Sequence, residues 1–574
     1  MGRRQFDQEN NRLEYGQLLF PEPGYDLEFA VGMTYSLDLE ALLGIPVSLG
    51  MLETLDSAAA KNPYFVLEAI RKSSDRIALF CNFDGMKLPQ NIRPVFALLE
   101  GSVFPISLGQ NANFHPKLWV VCYRNAAGEK RIRVIVLSRN LTFDCSMDVA
   151  AEMTGTVGKE RCEANRPLAD LLYFTATHAS REKKPAIQAL ARDVMRVSDF
   201  DCGERFESYE FLPFGIPGHK QETDRFLLDA DNLLVVSPFL SKGVLEKITR
   251  RPWRKTLITR KASLTPEIVR QFDHIYVPRE ELMDDELLGE ADTCTKRDLH
   301  AKVMGKANSS GNYLYLGSLN ASHNALYRNV EFLLGLKFKP YMASYDSLVK
   351  DFLPEENNPF EEVTQVEEIS EEESTEQSVL RGIAGLLRGA VVHREGDSYR
   401  VTLDCDAPEA PATLAPLLRK EQARPIAPGL AFEGLLLREL SEFYIVWCGE
   451  ERAVLKITTE GIPEERDQAI YSSIIGSKQG FLAYVSFLLA DDYVETGLEQ
   501  HDLQAMLRRG DPQSAGNDPS AALYERLLQA AVYQPQKLAA VESLMAKIDP
   551  ALVTDDFRAL LALFQKAIGK RRQP

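Results

Sequence analysis

The stretch from Asp298 to Glu331, DLHAKVMGKANSSGNYLYLGSLNASHNALYRNVE, decides how the chain is read. It holds His300 and Lys302 as an H-x-K triplet, then Gly317-Ser318-Leu319-Asn320, then Asn329-Val330-Glu331. The same order occurs upstream between Phe114 and Glu152. There His115 and Lys117 form H-x-K, Ser138-Arg139-Asn140 follows, and Asp148 and Glu152 come after. One H-x-K is noise. Two copies of the composite order His, Lys, Ser-x-Asn, acid point to a repeated unit.

The surrounding pattern places these residues on strand ends. Residues 115–123 alternate, with Lys117, Trp119 and Val121 on one side and Leu118, Val120 and Cys122 on the other. Asn125 to Gly128 reads as a turn and 132–137 as the return strand, so His115 and Asn140 are expected at the open end of one hairpin. Residues 27–35 and 76–81 read as strands, with 95–99 and 103–107 as further short ones. Helices are expected around 169–177 and 185–195. The pattern then restarts with strands at 233–236, 255–259 and 274–277 and a helix at 243–249. A hairpin of 300–305 with 313–316 turns around Asn308 to Asn312.

These paired motifs resemble the phospholipase D-like superfamily, over about residues 25–340. The resemblance implies an α/β fold of two pseudo-symmetric mixed-sheet halves, 1–200 and 201–350, that form one site. The lipase form of the motif has an Asp five residues after the Lys; here those positions are Cys122 and Ala307. Both copies carry the later Ser-x-Asn instead, which is more similar to the phosphodiesterase and nuclease branches. SRNLTFD (138–144) and GSLNAS (317–322) resemble bacterial members found in defence loci beside helicase-type ATPases.

The chemistry implied by the resemblance suits these residue types. A phosphodiester resists attack, so its nonbridging oxygens must be neutralised, a nucleophile supplied and the leaving oxygen protonated. One histidine attacks phosphorus and forms a phosphohistidine. The other protonates the leaving group and then activates water. His115 is favoured as nucleophile from the resemblance, although the residues themselves do not separate it from His300. Lys117 and Lys302 would hold phosphoryl oxygens. Asn140 and Asn320 would donate to them, and Ser138 and Ser318 would assist. Each imidazole also needs a carboxylate on its other nitrogen. Glu331 is the candidate in the second half. In the first, Glu152 is favoured over Asp148, because it follows Asn140 by 12 residues, close to the 11 between Asn320 and Glu331. No metal or other cofactor is needed. His219 in Gly-His-Lys lacks the later motif and reads as a loop residue. Arg139 could touch phosphate or lie on the surface, Cys145 reads as a packed thiol, and Gly476 to Gly480 lacks P-loop spacing.

Composition bounds the rest. The net charge is −17, and the 11 acidic residues of 351–380, which include no Lys or Arg, account for most of it. What remains is still not basic, so a strong sequence-independent grip on DNA is not expected without a local basic groove or a partner. The acidic run itself reads as a solvated linker, with a DNA-mimicking plug as the sharper alternative. No apolar run reaches the roughly 18 residues of a membrane span. The start, MGRRQFDQENNRLEYG, reads neither as a signal peptide nor as a myristoylation site. Eight scattered cysteines without a C-x-x-C pair fit a reducing cytoplasm.

Beyond the linker, strands at 390–394, 399–403, 442–448 and 454–458 suggest a β-rich accessory domain over 381–465. A C-terminal helical bundle is expected over 466–574. Its start signals include Asp518-Pro519, and Leu523, Leu527, Leu528 and Ala531 share one face. The leading function is a metal-independent phosphodiesterase acting on DNA, a nuclease effector of bacterial antiphage defence. The resemblance alone implies an ATPase or helicase partner. The alternatives are a tyrosyl-DNA phosphodiesterase-like end-processing enzyme, a phospholipase, and a catalytically idle binding or scaffold subunit. One chain holds both half-sites, so a monomer suffices and dimerisation stays open.

Overall fold

The computed structural model describes residues 16–571 except 51–62, 110, 144–145, 220–225, 280–298, 356–357, 367–374, 490–522, 524–525 and 532–533. The expectations for the first 15 residues, Cys145 and Asp518-Pro519 lie outside the described residues.

Two mixed sheets carry the paired motifs. The first contains β1 (Tyr25–Met33), β2 (Ile77–Asn82), β3 (Val103–Ile106), β4 (Leu118–Asn125), β5 (Lys130–Leu137) and β6 (Ala150–Thr156). Its spatial order is β3-β2-β1-β4-β5-β6. The β3, β2 and β1 strands run parallel, and the pairs from β1 through β4 and β5 to β6 are antiparallel. The second contains β7 (Phe206–Phe214), β8 (Asn232–Val236), β9 (Arg254–Ile258), β10 (His274–Pro278), β11 (Val303–Asn308), β12 (Gly311–Gly317), β13 (Glu331–Phe338) and β14 (Phe360–Glu362). Within it, β10-β9-β8-β11-β12-β13 repeats the order and directions of the first sheet strand for strand, with β14 and β7 added at the two edges.

Strand β4 shows why these runs are apolar throughout: both of its faces are buried. Leu118, Val120 and Cys122 join a core shared with Leu234, Val303 and Phe332 of the second sheet. Trp119, Val121 and Tyr123 face a second core, built with the helices Leu39–Gly50 and Pro63–Ser73. Gly32 of β1 lets Trp119 pack, since a Cβ there would sit 2.6 Å from its ring.

Three expectations are corrected. Residues 95–99 are not a strand but part of a 3-10 helix, Pro94–Ser102. Pro94 presets its first turn, and Val95, Phe96 and Leu99 are all buried. The acidic segment is not a linker throughout. Phe360 is buried in the shared core, and β14 pairs antiparallel with β10 at the sheet edge while Glu361 and Glu362 face solvent. Leu528 does not share the buried face of Leu523 and Leu527; it is 46% exposed.

The C-terminal third builds one core of its own, around Val401, Phe432 and Tyr444, and completes another against the first sheet. Strands Thr413–Pro416, Phe443–Cys448 and Glu451–Lys456 form a sheet that also takes in Met86–Lys87 and Leu37–Asp38. The helices Glu465–Ile475, Lys478–Leu489 and Pro535–Ala546 share one apolar cluster with the N-terminal helices. Tyr484 donates to Glu68 (3.2 Å), and Arg71 links Glu68 to Ser543 (2.8 Å). The buried Glu100 accepts from Ser441 Oγ and the Glu442 N–H, both at 2.9 Å, and pairs with Arg466.

This last pair gives a stability test. Burial pushes the Glu100 carboxyl above its ordinary pKa, and Arg466 opposes that shift. Arg466→Met leaves an unpaired buried carboxylate and is expected to cost about 3–5 kcal/mol near neutral pH. Adding Glu100→Gln should recover much of that loss. The deficit of the single variant should shrink as pH falls and Glu100 takes up a proton. Thermal unfolding midpoints across pH check the sign.

Candidate active site

The site forms where the two H-x-K segments leave their strands, each exchanging a short pairing with the opposite sheet's acid loop. Phe114 bridges Val330, with the His115 N–H donating to Val330 O (2.9 Å) and the Val330 N–H to Asn113 O (2.9 Å). In the matching place Leu299 bridges Met147, and the N–H groups of His300 (3.0 Å) and Ala301 (2.8 Å) both donate to Met147 O. The residue after Val330 is Glu331, and the residue after Met147 is Asp148.

Glu331 therefore reaches across to the first histidine instead of serving His300 in its own half. His115 Nδ1 lies 2.8 Å from Glu331 Oε2. Glu331 is fully buried and held by two more donors, Ser318 Oγ to Oε2 (2.5 Å) and Asn329 Nδ2 to Oε1 (3.1 Å). Ser318 Oγ in turn accepts the Phe332 N–H (3.0 Å). Around Asp148 the pattern repeats: Ser138 Oγ donates to Oδ1 (3.1 Å) and accepts the Val149 N–H (2.9 Å). Both serines thus bond carboxylates. Gly317 permits the turn into Ser318. Its φ is +152°, and a Cβ would meet Phe332 O at 2.3 Å.

Glu152, favoured from spacing, is elsewhere. It lies in β6 opposite Ile135, and its carboxylate meets Arg133 Nε at 2.9 Å. The spacing misleads because the second copy inserts a short helix, His323–Tyr327, between its Asn and its acid. Without that turn the first copy needs fewer residues, and Asp148 occupies the position that corresponds to Glu331.

The cationic groups sit beneath the histidines. Lys117 and Lys302 are only 2% and 3% exposed. Lys117 Nζ lies 3.1 Å from His115 Nε2, and Lys302 Nζ donates to His300 O (2.7 Å). Asn140 Oδ1 accepts from the Ser36 N–H (3.3 Å). Asn320 is buried, and its Oδ1 has no hydrogen-bond partner among the described residues. Arg139 bonds Thr142 O (2.8 Å) and lies 3.9 Å from Asp148. His219 pairs with Asp170 at 3.0 Å.

Sequence reading missed Tyr35, whose ring lies 4.9 Å from the His115 ring, and Asn82, whose Oδ1 accepts the Phe114 N–H (2.8 Å). No local pattern marks them, because they come from the ends of other strands. A cavity of about 1010 Å³ lies beyond Arg381, between β3 and residues 455–458, and neither histidine lines it.

Burial pushes the His115 imidazole down to about 4; Glu331 pulls the other way, and Lys117 and Lys302 add to the depression. Near neutral pH the ring is therefore uncharged. With its Nδ1 proton donated to Glu331, the Nε2 lone pair is left available, and Lys117 faces it. Acidification has to protonate His115 against its surroundings, so its titration belongs well below 6.5. Nitrogen-15 NMR of labelled histidine should show an Nδ1-protonated neutral ring at pH 6; a midpoint near 6.5 would contradict this geometry.

No family profile matches the chain, and no curated protein matches it. Among solved structures it is similar to yeast tyrosyl-DNA phosphodiesterase, at 10% identity over 57% of this chain and 86% of that one, with a TM-score of 0.36. It is similar to the polyphosphate kinase of Porphyromonas gingivalis, at 10% identity over 57% and 42% of the two chains, TM-score 0.31. It is also similar to the phosphatidylserine synthase of Haemophilus influenzae Rd KW20, at 10% identity over 61% and 84%, TM-score 0.33. At these identities and scores the likeness carries no inference about fold or reaction.

Proposed function

We propose that the chain is a metal-independent phosphodiesterase of the phospholipase D-like kind, acting on DNA through a covalent phosphohistidine. The observation that carries this reading is the Glu331–His115 contact made across the two sheets, with Ser138 and Asp148 set in the matching place next to the Met147–Leu299 bridge. The shared strand order supports reading the sheets as two halves of one duplicated unit.

In the first step His115 Nε2 attacks phosphorus, and the P–O bond to the leaving group breaks as His300 gives its proton to that oxygen. His115 keeps its Nδ1 proton, bonded to the Glu331 carboxylate, whose charge balances the one the ring gains. In the second step neutral His300 takes a proton from water, the hydroxyl oxygen bonds phosphorus, and the P–N bond breaks to restore His115. Lys117 and Lys302 hold the nonbridging oxygens, with Asn140 and Asn320 beside them. Asp148, in place of Glu152, is the acid that orients His300.

DNA as substrate, the antiphage defence setting and an ATPase or helicase partner rest on the resemblance of the two Ser-x-Asn segments. The setting is cytoplasmic. Among the described residues no helix is long and apolar enough to cross a membrane.

Plasmid and single-stranded DNA incubated in excess EDTA test the reading. Cleavage should survive chelation and vanish in both His115→Ala and His300→Ala. No cleavage of any nucleic acid, even with the products of neighbouring genes present, would sink it. Asp148→Ala should lower turnover by about 100-fold or more. Glu152→Gln, which touches only the ion pair with Arg133 in β6 and β5, should stay within about a factor of two. The reverse ranking would return the acid's role to Glu152.

A further inference from the structure

We infer that Arg381, from a helix outside the two motif-bearing sheets, is a positioning residue for His115 that ties the C-terminal region to the active site. This rests on the reading of His115 as the nucleophile.

Arg381 lies in the helix Thr375–Leu386, beyond the residues that carry the paired motifs. Its guanidinium fork grips two supports at once. One nitrogen donates to Asn113 Oδ1 (2.6 Å), two residues before His115, and Nε meets Asp84 Oδ2 at 3.0 Å. Each support leads to the histidine. Asp84 accepts from Asn82 Nδ2, and Asn82 Oδ1 takes the N–H of Phe114 (2.8 Å). The Asn113 N–H donates to Asn329 Oδ1 (3.0 Å), and Asn329 Nδ2 bonds Glu331, the partner of His115. Arg381 also faces the hydroxyl of Tyr35, whose ring packs on the imidazole. A single planar cation thus sets the histidine's backbone, its carboxylate and its aromatic neighbour.

The second histidine is braced differently. Strands β2 and β9 correspond in the two sheets: Phe80 ends the pairing of β2 with β1 and Ile258 that of β9 with β8, and two residues further on stand Asn82 and Arg260. Arg260 Nε donates directly to Leu299 O (3.2 Å), the residue before His300. The second half carries its own arginine brace. The first half has a short asparagine at that place and borrows its arginine from the C-terminal region.

The test is Arg381→Met in the full chain, with Arg388→Met as control; Arg388 pairs only with the exposed Asp404 and Asp406. Phosphodiesterase kcat should fall about 10- to 100-fold with KM within about twofold, as when a partner that orients a catalytic group is removed. Arg381→Lys, which keeps the charge but loses the fork, should fall between. Independently of turnover, the NMR midpoint of His115 should rise toward 6.5 in Arg381→Met as the packed surroundings loosen. Glu331, Lys117, Lys302 and Tyr35, which also surround the ring, are left in place, as is Asp84 beside Arg381. Asn113→Ala keeps its backbone N–H and removes only the grip, so a second link can be cut without touching the helix. Its effect should add little to that of Arg381→Met. An unchanged His115 midpoint in both variants overturns the inference whatever the activity. A shifted midpoint in a protein that cleaves no phosphodiester upholds the positioning and overturns only the proposed reaction.

Discussion

The site depends on a trade of backbone pairings between two sheets. Phe114 pairs with Val330 and Leu299 with Met147, so each histidine segment is fastened to the opposite acid loop. Neither half can then complete a His–carboxylate pair by itself. The trade also solves a burial problem. A carboxylate taken fully out of water costs several kcal/mol unless its oxygens are bonded. Glu331 is bonded by Ser318, Asn329 and His115, three groups already fixed by the fold. Its orientation is therefore settled before any ligand arrives, which makes the imidazole on its other side a directed group.

Much of this was legible in the chain. The H-x-K triplets, the Ser-x-Asn segments and the alternation through 115–123 located the strand ends that meet. The partner of each histidine was not legible, because a crossing between sheets leaves no trace in local spacing. Counting residues from Asn to acid then chose Glu152, since the five-residue helix His323–Tyr327 lengthens only the second copy. The serines' role was hidden for a related reason. A hydroxyl can donate to phosphate or to a carboxylate, and only the fold shows that both serines face acids. Pro94–Ser102 was misread because a short buried run has the same apolar content as a strand.

The C-terminal region illustrates a different limit. Its strands and helices are visible as elements, but several of their partners lie hundreds of residues earlier. Tyr484 meets Glu68, Arg466 meets Glu100, and Val454 meets Met86. A composition shift at the acidic run looks like a boundary between modules, yet the apolar faces on its two sides complete one another. The N-terminal helices that cover the first sheet's outer face, Leu39–Gly50 and Pro63–Ser73, lie in one apolar cluster with the C-terminal helices. The region is therefore part of what makes the first sheet stable.

The site also reconciles an acidic chain with an anionic substrate. Taken by formal charge, Lys117 and Lys302 offset Glu331 and Asp148, and His115 is neutral because burial and the two lysines disfavour its protonation. The four charged groups cancel. A phosphodiester brings one negative charge into this buried setting, and on the proposed reaction the group that balances it is a proton on His300. That proton is the one the leaving oxygen needs. On the proposed reaction, charge balance and catalysis require the same protonation state: His115 neutral on Glu331 and His300 carrying the proton. An overall negative protein can assemble this, because the balance is struck within a few ångströms at low effective dielectric, where the distant surface acids are screened.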